Sequence, residues 1–128
     1  MAKNIKSILL VDDDSDDREL FELALKKVAH SVFLVTADNG EDALRLLATS
    51  MLLPDLIFMD INMPGLSGFD TIKELQKDAL LSTIPMVIYS TSTSESDINK
   101  AKQLGVVMYL NKPSRFIELC RVLKDFLD

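Results

Sequence analysis

The chain has 128 residues, with 14 Lys and Arg against 20 Asp and Glu, and carries a formal net charge of −6. That length is one domain's worth and buries roughly two-thirds of the unfolded surface without staples. Hydrophobic residues at 48% argue against disorder, the acidic balance argues against nucleic acid as a partner, and the single cysteine, Cys120, excludes an internal disulfide and a multi-cysteine metal site.

The first apolar run, at residues 8–11, breaks straight into Asp12, Asp13, Asp14, Ser15, Asp16 and Asp17. It lacks the long apolar stretch and small-residue cleavage site of a signal peptide. Leu20, Phe21, Ala24, Leu25 and Val28 then form a helical stripe, with His30 at its end, where an imidazole satisfies open carbonyls. A second run at 32–35 leads to Thr36, Ala37 and Asp38, and Gly40 interrupts the pattern before the stripe Ala43, Leu44, Leu46 and Leu47. Pro54 precedes a third run, at 56–59, which ends at Asp60. The turn-forming Asn62-Met63-Pro64-Gly65 and a stripe of Ile72, Leu75 and Ala79 follow. Pro85 precedes the fourth run, at 86–89, which ends at Ser90 and Thr91. Ser92 or Ser94 caps a thin stripe of Ile98, Ala101 and Leu104, with Glu95 or Asp97 completing a capping box. Gly105 ends that helix, and the fifth run, at 106–110, leads to Asn111-Lys112-Pro113. The broadest stripe closes the chain: Phe116, Leu119, Cys120, Leu123, Phe126 and Leu127.

Near-continuous apolar runs are the mark of strands buried on both faces, as in a parallel sheet covered by helices. Five of them alternating with five helical stripes predict a (βα)5 α/β fold. Right-handed crossovers make it a doubly wound three-layer sandwich around a five-stranded parallel sheet, with one domain over residues 1–128. No stretch approaches the ~20 apolar residues of a membrane span. Together with the lone cysteine this predicts a cytoplasmic protein.

In such a sheet function gathers beyond the carboxyl ends of the strands. Those ends supply Asp12 and Asp13, Asp60, Ser90, and Lys112. Carboxylates packed together repel, so they hold protons or a cation. Oxygen-only ligands select a hard ion such as Mg²⁺. A divalent ion, a lysine and a hydroxyl form a receptor for a phosphoryl group, and one carboxylate of the set can accept it as an aspartyl phosphate. Asp14, Asp16 and Asp17 read instead as acids favoured at a helix N-terminus. Asp12-x-Asp14-x-Asp16 opens like an EF-hand loop, but Asp17 stands at its sixth position and Leu23 at its twelfth, where glycine and glutamate are required.

Five segments in order carry a resemblance: residues 8–13, residues 59–65, Ser90, Tyr109, and Lys112-Pro113. With them the chain resembles the receiver domain of two-component response regulators, of the stand-alone chemotaxis type, from about residue 5 to its end. The resemblance implies a flavodoxin-like fold with Asp60 as phosphoacceptor and Mg²⁺ as cofactor. It implies that Asp13 ligates the ion directly, Asp12 mainly through water, Asp60 with it, and Asn62 through its backbone carbonyl. Lys112 and the Ser90 hydroxyl contact the phosphoryl oxygens. Ser90 and Tyr109 form the switch, and the peptide before Pro113 is cis. The implied phosphodonor is a histidine kinase or histidine-phosphotransfer protein. A downstream protein is engaged through the fourth helix, fifth strand and fifth helix by a monomer or weak dimer that binds neither nucleic acid nor membrane. Thr91, Val106 and Ser114 depart from the usual pattern without removing a site residue. The competing readings are an adaptor of the same fold that works without phosphate, and a small aspartyl-phosphate phosphatase. No further acid or base supports the second. With the last helix reaching the end of the chain, the expected output is to another protein.

Overall fold

The computed structural model describes residues 4–50 and 53–127, so both ends of the expected 1–128 unit lie outside the described residues. The five apolar runs form strands: β1 (Ser7–Val11), β2 (Phe33–Ala37), β3 (Leu56–Met59), β4 (Met86–Ser90) and β5 (Met108–Asn111). They alternate with helices α1 (Ser15–Val28), α2 (Gly40–Thr49), α3 (Gly68–Leu75), α4 (Glu95–Leu104) and α5 (Phe116–Leu127). The strands make one parallel sheet in the order β2-β1-β3-β4-β5. This is the predicted doubly wound, flavodoxin-like architecture, and the order reverses at β1.

Side chains alternate across the sheet and build two cores. Leu9, Val11, Ile57, Met59 and Ile88 pack with Ala43, Leu47, Ile72, Leu75 and Ala101 from α2, α3 and α4. Ile8, Leu10, Phe58, Val87 and Tyr89 pack with Phe21, Leu25, Leu119, Leu123 and Phe126 from α1 and α5. Phe21, Phe58 and Tyr89 meet edge to face at 5.0–6.0 Å between centroids. Such pairs add about 1 kcal/mol each beyond burial. Cys120 is a buried core residue, as its stripe predicts.

Burial on both faces holds for β1, β3 and β4 but fails for β2 and β5. Those two are edge strands, and Phe33 is 67% exposed. Strand β5 starts two residues later than its apolar run because Val106 serves the end of α4. Gly105 takes φ +77°, its N–H donates to the Lys102 carbonyl, and the Val106 N–H donates to the Ala101 carbonyl. This is the Schellman arrangement, and it needs a left-handed residue. Gly40 opens α2 rather than interrupting it, behind Asn39 as cap. Ala79 lies beyond α3, exposed, in a loop organised by the Asp78 carboxylate and a 3₁₀ turn at Leu81–Thr83. Helix α4 buries only Ala101 fully, as its thin stripe predicts. No helix among the described residues is long and apolar enough to cross a membrane.

Candidate functional site

The site grows from the carboxyl ends of the two central strands. Val11 and Met59 are partners in the β1–β3 register, so the next residues, Asp12 and Asp60, lie side by side. The Asp60 N–H donates to the Val11 carbonyl at 2.9 Å, and the Asp12 N–H donates to the Ala37 carbonyl at 3.1 Å. Both aspartates are therefore pinned by the sheet before any side chain acts. Asp12 is fully buried and Asp60 nearly so, whereas Asp13 is exposed at the mouth. One carboxylate oxygen from each of Asp12, Asp13 and Asp60 falls within 4.8 Å of the others.

Lys112 follows β5 and is fixed by its own backbone, whose N–H donates to the Ser90 carbonyl at 2.9 Å. Its ammonium reaches across to Asp12 Oδ2 at 2.8 Å, Asp17 Oδ2 at 2.8 Å and Asp60 Oδ2 at 3.4 Å. It also lies 5.5 Å from the Tyr89 ring centroid. No peptide among the described residues is cis, so the Lys112–Pro113 bond is trans, contrary to the expectation. The carboxylates that surround the ammonium hold it in place.

These charges set one another's protonation. Burial strips water from Asp60 and pushes its carboxyl up to about 6; Lys112 pulls it down, and the neighbouring Asp12 pushes it further up. For Lys112, burial works against the charge, but Asp12, Asp17 and Asp60 outweigh it and hold the ammonium above the usual lysine range. Burial likewise raises the Tyr89 hydroxyl.

The donor set fits a hard divalent cation. Asp12 Oδ1 accepts from the Asp14 N–H at 3.0 Å, and buried Oδ2 lies 2.8 Å from the Lys112 ammonium. Three carboxylates gathered with a single ammonium leave the cluster net negative, and their oxygens are the hard donors that a divalent cation takes. Asn62 is exposed beside the cluster, its N–H 3.4 Å from Asp60 Oδ1.

Ser90 is fully buried at the end of β4. Its hydroxyl accepts from the Ser92 N–H at 3.2 Å. The Ser92 carbonyl accepts from the Tyr109 hydroxyl at 2.9 Å. The Ser92 hydroxyl donates to Asp97 at 2.6 Å, and Ser94 caps α4 by accepting from the Asp97 N–H. The expected capping box is thus half formed: Ser94 caps, while the Asp97 carboxylate takes the Ser92 hydroxyl. A continuous polar chain runs from Ser90 to the start of α4 and to Tyr109, which is half-buried.

Three contributors escape the sequence pattern. Asp17 groups by position with the helix-start acids, yet it pairs with Lys112; Asp14 is the true cap, accepting from the N–H groups of Asp16 and Asp17. Arg18 donates from Nη1 to the Asp12 carbonyl at 2.7 Å and braces the loop from behind. Gly68 lets α3 start against the site, since a Cβ there lies 2.1 Å from the Asp60 carbonyl oxygen. Asp17 and Arg18 lie about one turn beyond Asp12-Asp13, a spacing that can bring first-turn residues of α1 back over the strand end.

The family model of the response regulator receiver domain matches residues 8–124. Protein PilH of Pseudomonas aeruginosa is 40% identical over 106 residues, covering 83% of this chain and 84% of that protein. The phosphorylated cyanobacterial phytochrome response regulator RcpA superposes with a TM-score of 0.87 at 31% identity, covering 95% of this chain and 91% of that one. The Mn²⁺-bound form of response regulator Rcp1 superposes at 0.84 with 28% identity, covering 94% and 91%. Carboxylates converging at the strand ends, a lysine among them and these likenesses agree on one family: the chain belongs to the response regulator receiver domains, the phosphorylation-dependent switches of two-component signalling.

Proposed function

We propose that Asp60 is the phosphoacceptor, that Asp12, Asp13, Asp60 and the Asn62 carbonyl hold Mg²⁺, and that residues 1–128 form one receiver domain. The observation that carries this reading is the near-buried Asp60 carboxylate, with oxygens of Asp12 and Asp13 within 4.8 Å and the Lys112 ammonium at 3.4 Å. A histidine kinase or histidine-phosphotransfer protein presents phosphohistidine. An Asp60 oxygen forms its bond to phosphorus as the P–N bond breaks, and the imidazole, protonated on its other nitrogen, leaves neutral. The transition state is loose, so the domain contributes position and charge. Mg²⁺, when bound, supplies neutralisation of the phosphoryl oxygens. Lys112 donates to one such oxygen and Ser90 to another. The chain catalyses only its own phosphorylation and the hydrolysis that resets it.

Ser90 also explains output. When its hydroxyl turns to the phosphoryl group it releases the Ser92 N–H, and the chain through Ser92 to Tyr109 and Asp97 must rearrange. That disturbance reaches α4, the helix with least buried area, and so alters the α4–β5–α5 surface offered to a downstream protein. The test is intact-mass measurement with acetyl phosphate and Mg²⁺. Wild type gains one phosphoryl group and Asp60→Asn gains none; equal labelling of the two removes Asp60 from the role.

A further inference from the structure

The Lys112 ammonium has three carboxylate neighbours, and the two that approach it most closely, Asp12 and Asp17 at 2.8 Å each, are not the reacting one. Asp17 Oδ2 accepts from Nζ at 2.8 Å, whereas Asp60 Oδ2 stands at 3.4 Å. Asp17 is also held from below. Its N–H donates to the Asp14 cap, so the first turn of α1 aims its side chain over the strand ends. Its side chain keeps about a third of its exposure, while that of Lys112 keeps a tenth, so Asp17 closes the ammonium off from solvent. Among the described residues the ion pair of the Asp17 carboxylate is with Lys112, while the neighbouring Arg18 donates to the Asp12 carbonyl.

We propose that Asp17 is a positioning residue that restrains Lys112 in the unphosphorylated protein, an internal counter-ion with which the incoming phosphoryl group must compete. The inference rests on Asp60 being the phosphoacceptor. Turning a carboxylate into an acyl phosphate adds about one negative charge to the pocket. Asp17 opposes that addition through the ammonium: it occupies one of the three N–H donors of Lys112 and offsets the positive charge that the phosphoryl oxygens would otherwise meet. Neutralising a unit charge at that range in a partly screened site is worth roughly three- to tenfold in rate.

The experiment measures the rate at which the full chain is labelled by acetyl phosphate with Mg²⁺; an Asp60 oxygen bonds to phosphorus as the P–O bond to acetate breaks and acetate leaves. Asp17→Asn, which keeps the shape and loses the charge, is expected to react roughly three- to tenfold faster than wild type, and Asp17→Ser, a second neutral variant, to do the same. Asp17→Glu keeps the charge and stays within about twofold. So does Asp16→Asn, because Asp16 is exposed and does not reach Lys112. In a Lys112→Ala background the gain from Asp17→Asn disappears, which a merely structural role does not produce. Asp17 loses its assignment if neither neutral variant is faster, if Asp17→Glu accelerates as they do, or if the gain persists without Lys112. If wild type takes no label, or Asp60→Asn takes as much, the phosphoacceptor reading falls and this inference with it. Normal labelling of wild type with no gain at position 17 refutes the inference alone.

Discussion

Asp60→Asn is expected to make the metal-free protein more stable, by an amount the pocket sets. The folded state holds the Asp60 carboxyl at about 6 against an ordinary 3.8, chiefly through burial, with Lys112 opposing and Asp12 adding to the rise. A group whose pKa is raised by folding adds stability that is complete below pH ~4 and is lost as the pH climbs through ~6. Two units correspond to about 3 kcal/mol. The Asp60 side chain is only 8% exposed, so solvent screening removes little of that. Asparagine has no charge to bury. The variant therefore matches wild type near pH 4 and exceeds it by about 3 kcal/mol above pH 7, or about 10 °C in Tm for a chain of this size. Urea unfolding in EDTA at pH 4 and pH 7.5 measures both ends. Saturating Mg²⁺ narrows the gap at pH 7.5, because the ion stabilises the form it binds. An Asp60→Asn protein no more stable than wild type at pH 7.5 in EDTA, or equally more stable at both pH values, would refute the account of a charge held against its solvation.

The other expectations use different parts of the molecule. Gly68→Ala puts a methyl 2.1 Å from the Asp60 carbonyl oxygen and 2.6 Å from Ile61 Cα, both backbone atoms. It is expected to lose about 2 kcal/mol or more in urea unfolding despite the better helix propensity of alanine, and to slow labelling of Asp60. Asp13→Ala is expected to weaken Mg²⁺ binding at least about tenfold by titration while Asp16→Ala changes it little; the reverse order breaks the division of the acidic run. Ser94→Ala removes the N-cap of the least buried helix, costs about 1 kcal/mol, and speeds amide exchange within α4 about fivefold. Unchanged exchange there means that α4 does not open on its own.

The range of each interaction decides how much of the molecule is legible in its chain. Short apolar runs place a strand end to within a residue or two, and a parallel sheet then gathers the residues just past those ends. Asp12, Asp13, Asp60, Ser90 and Lys112 are therefore found from local pattern alone. Composition does not reveal strand order. Continuous apolar runs suggest two buried faces for all five strands, and the exposed Phe33 shows that β2 is an edge. The start of β5 is misplaced because Val106 is apolar and strand-like, yet its N–H is used to close α4. Gly68 has no signature at all. Its need arises from a backbone contact with Asp60 that exists only once α3 is docked.

The acidic run shows why charge counted along a chain says less than charge placed in space. Five aspartates between residues 12 and 17 account for nearly all of the net −6, and the fold gives them different work. Asp14 satisfies helix N–H groups, Asp16 faces solvent, Asp13 stands at the mouth and Asp12 is buried beneath it. Asp17 alone turns back over the strand ends, to a lysine that comes 95 residues later. With Asp12, Asp13, Asp17 and Asp60 around it, Lys112 leaves the pocket strongly negative before any phosphoryl group arrives. A site of that charge resists another anion unless a cation enters or a carboxylate is neutralised. The two routes act on different atoms. The cation acts at the Asp12, Asp13 and Asp60 oxygens, and neutralisation of Asp17 acts at the ammonium. Because the same ammonium touches Asp12 and Asp60 as well as Asp17, the two routes share a partner, and their effects on the labelling rate are expected to couple rather than to multiply independently.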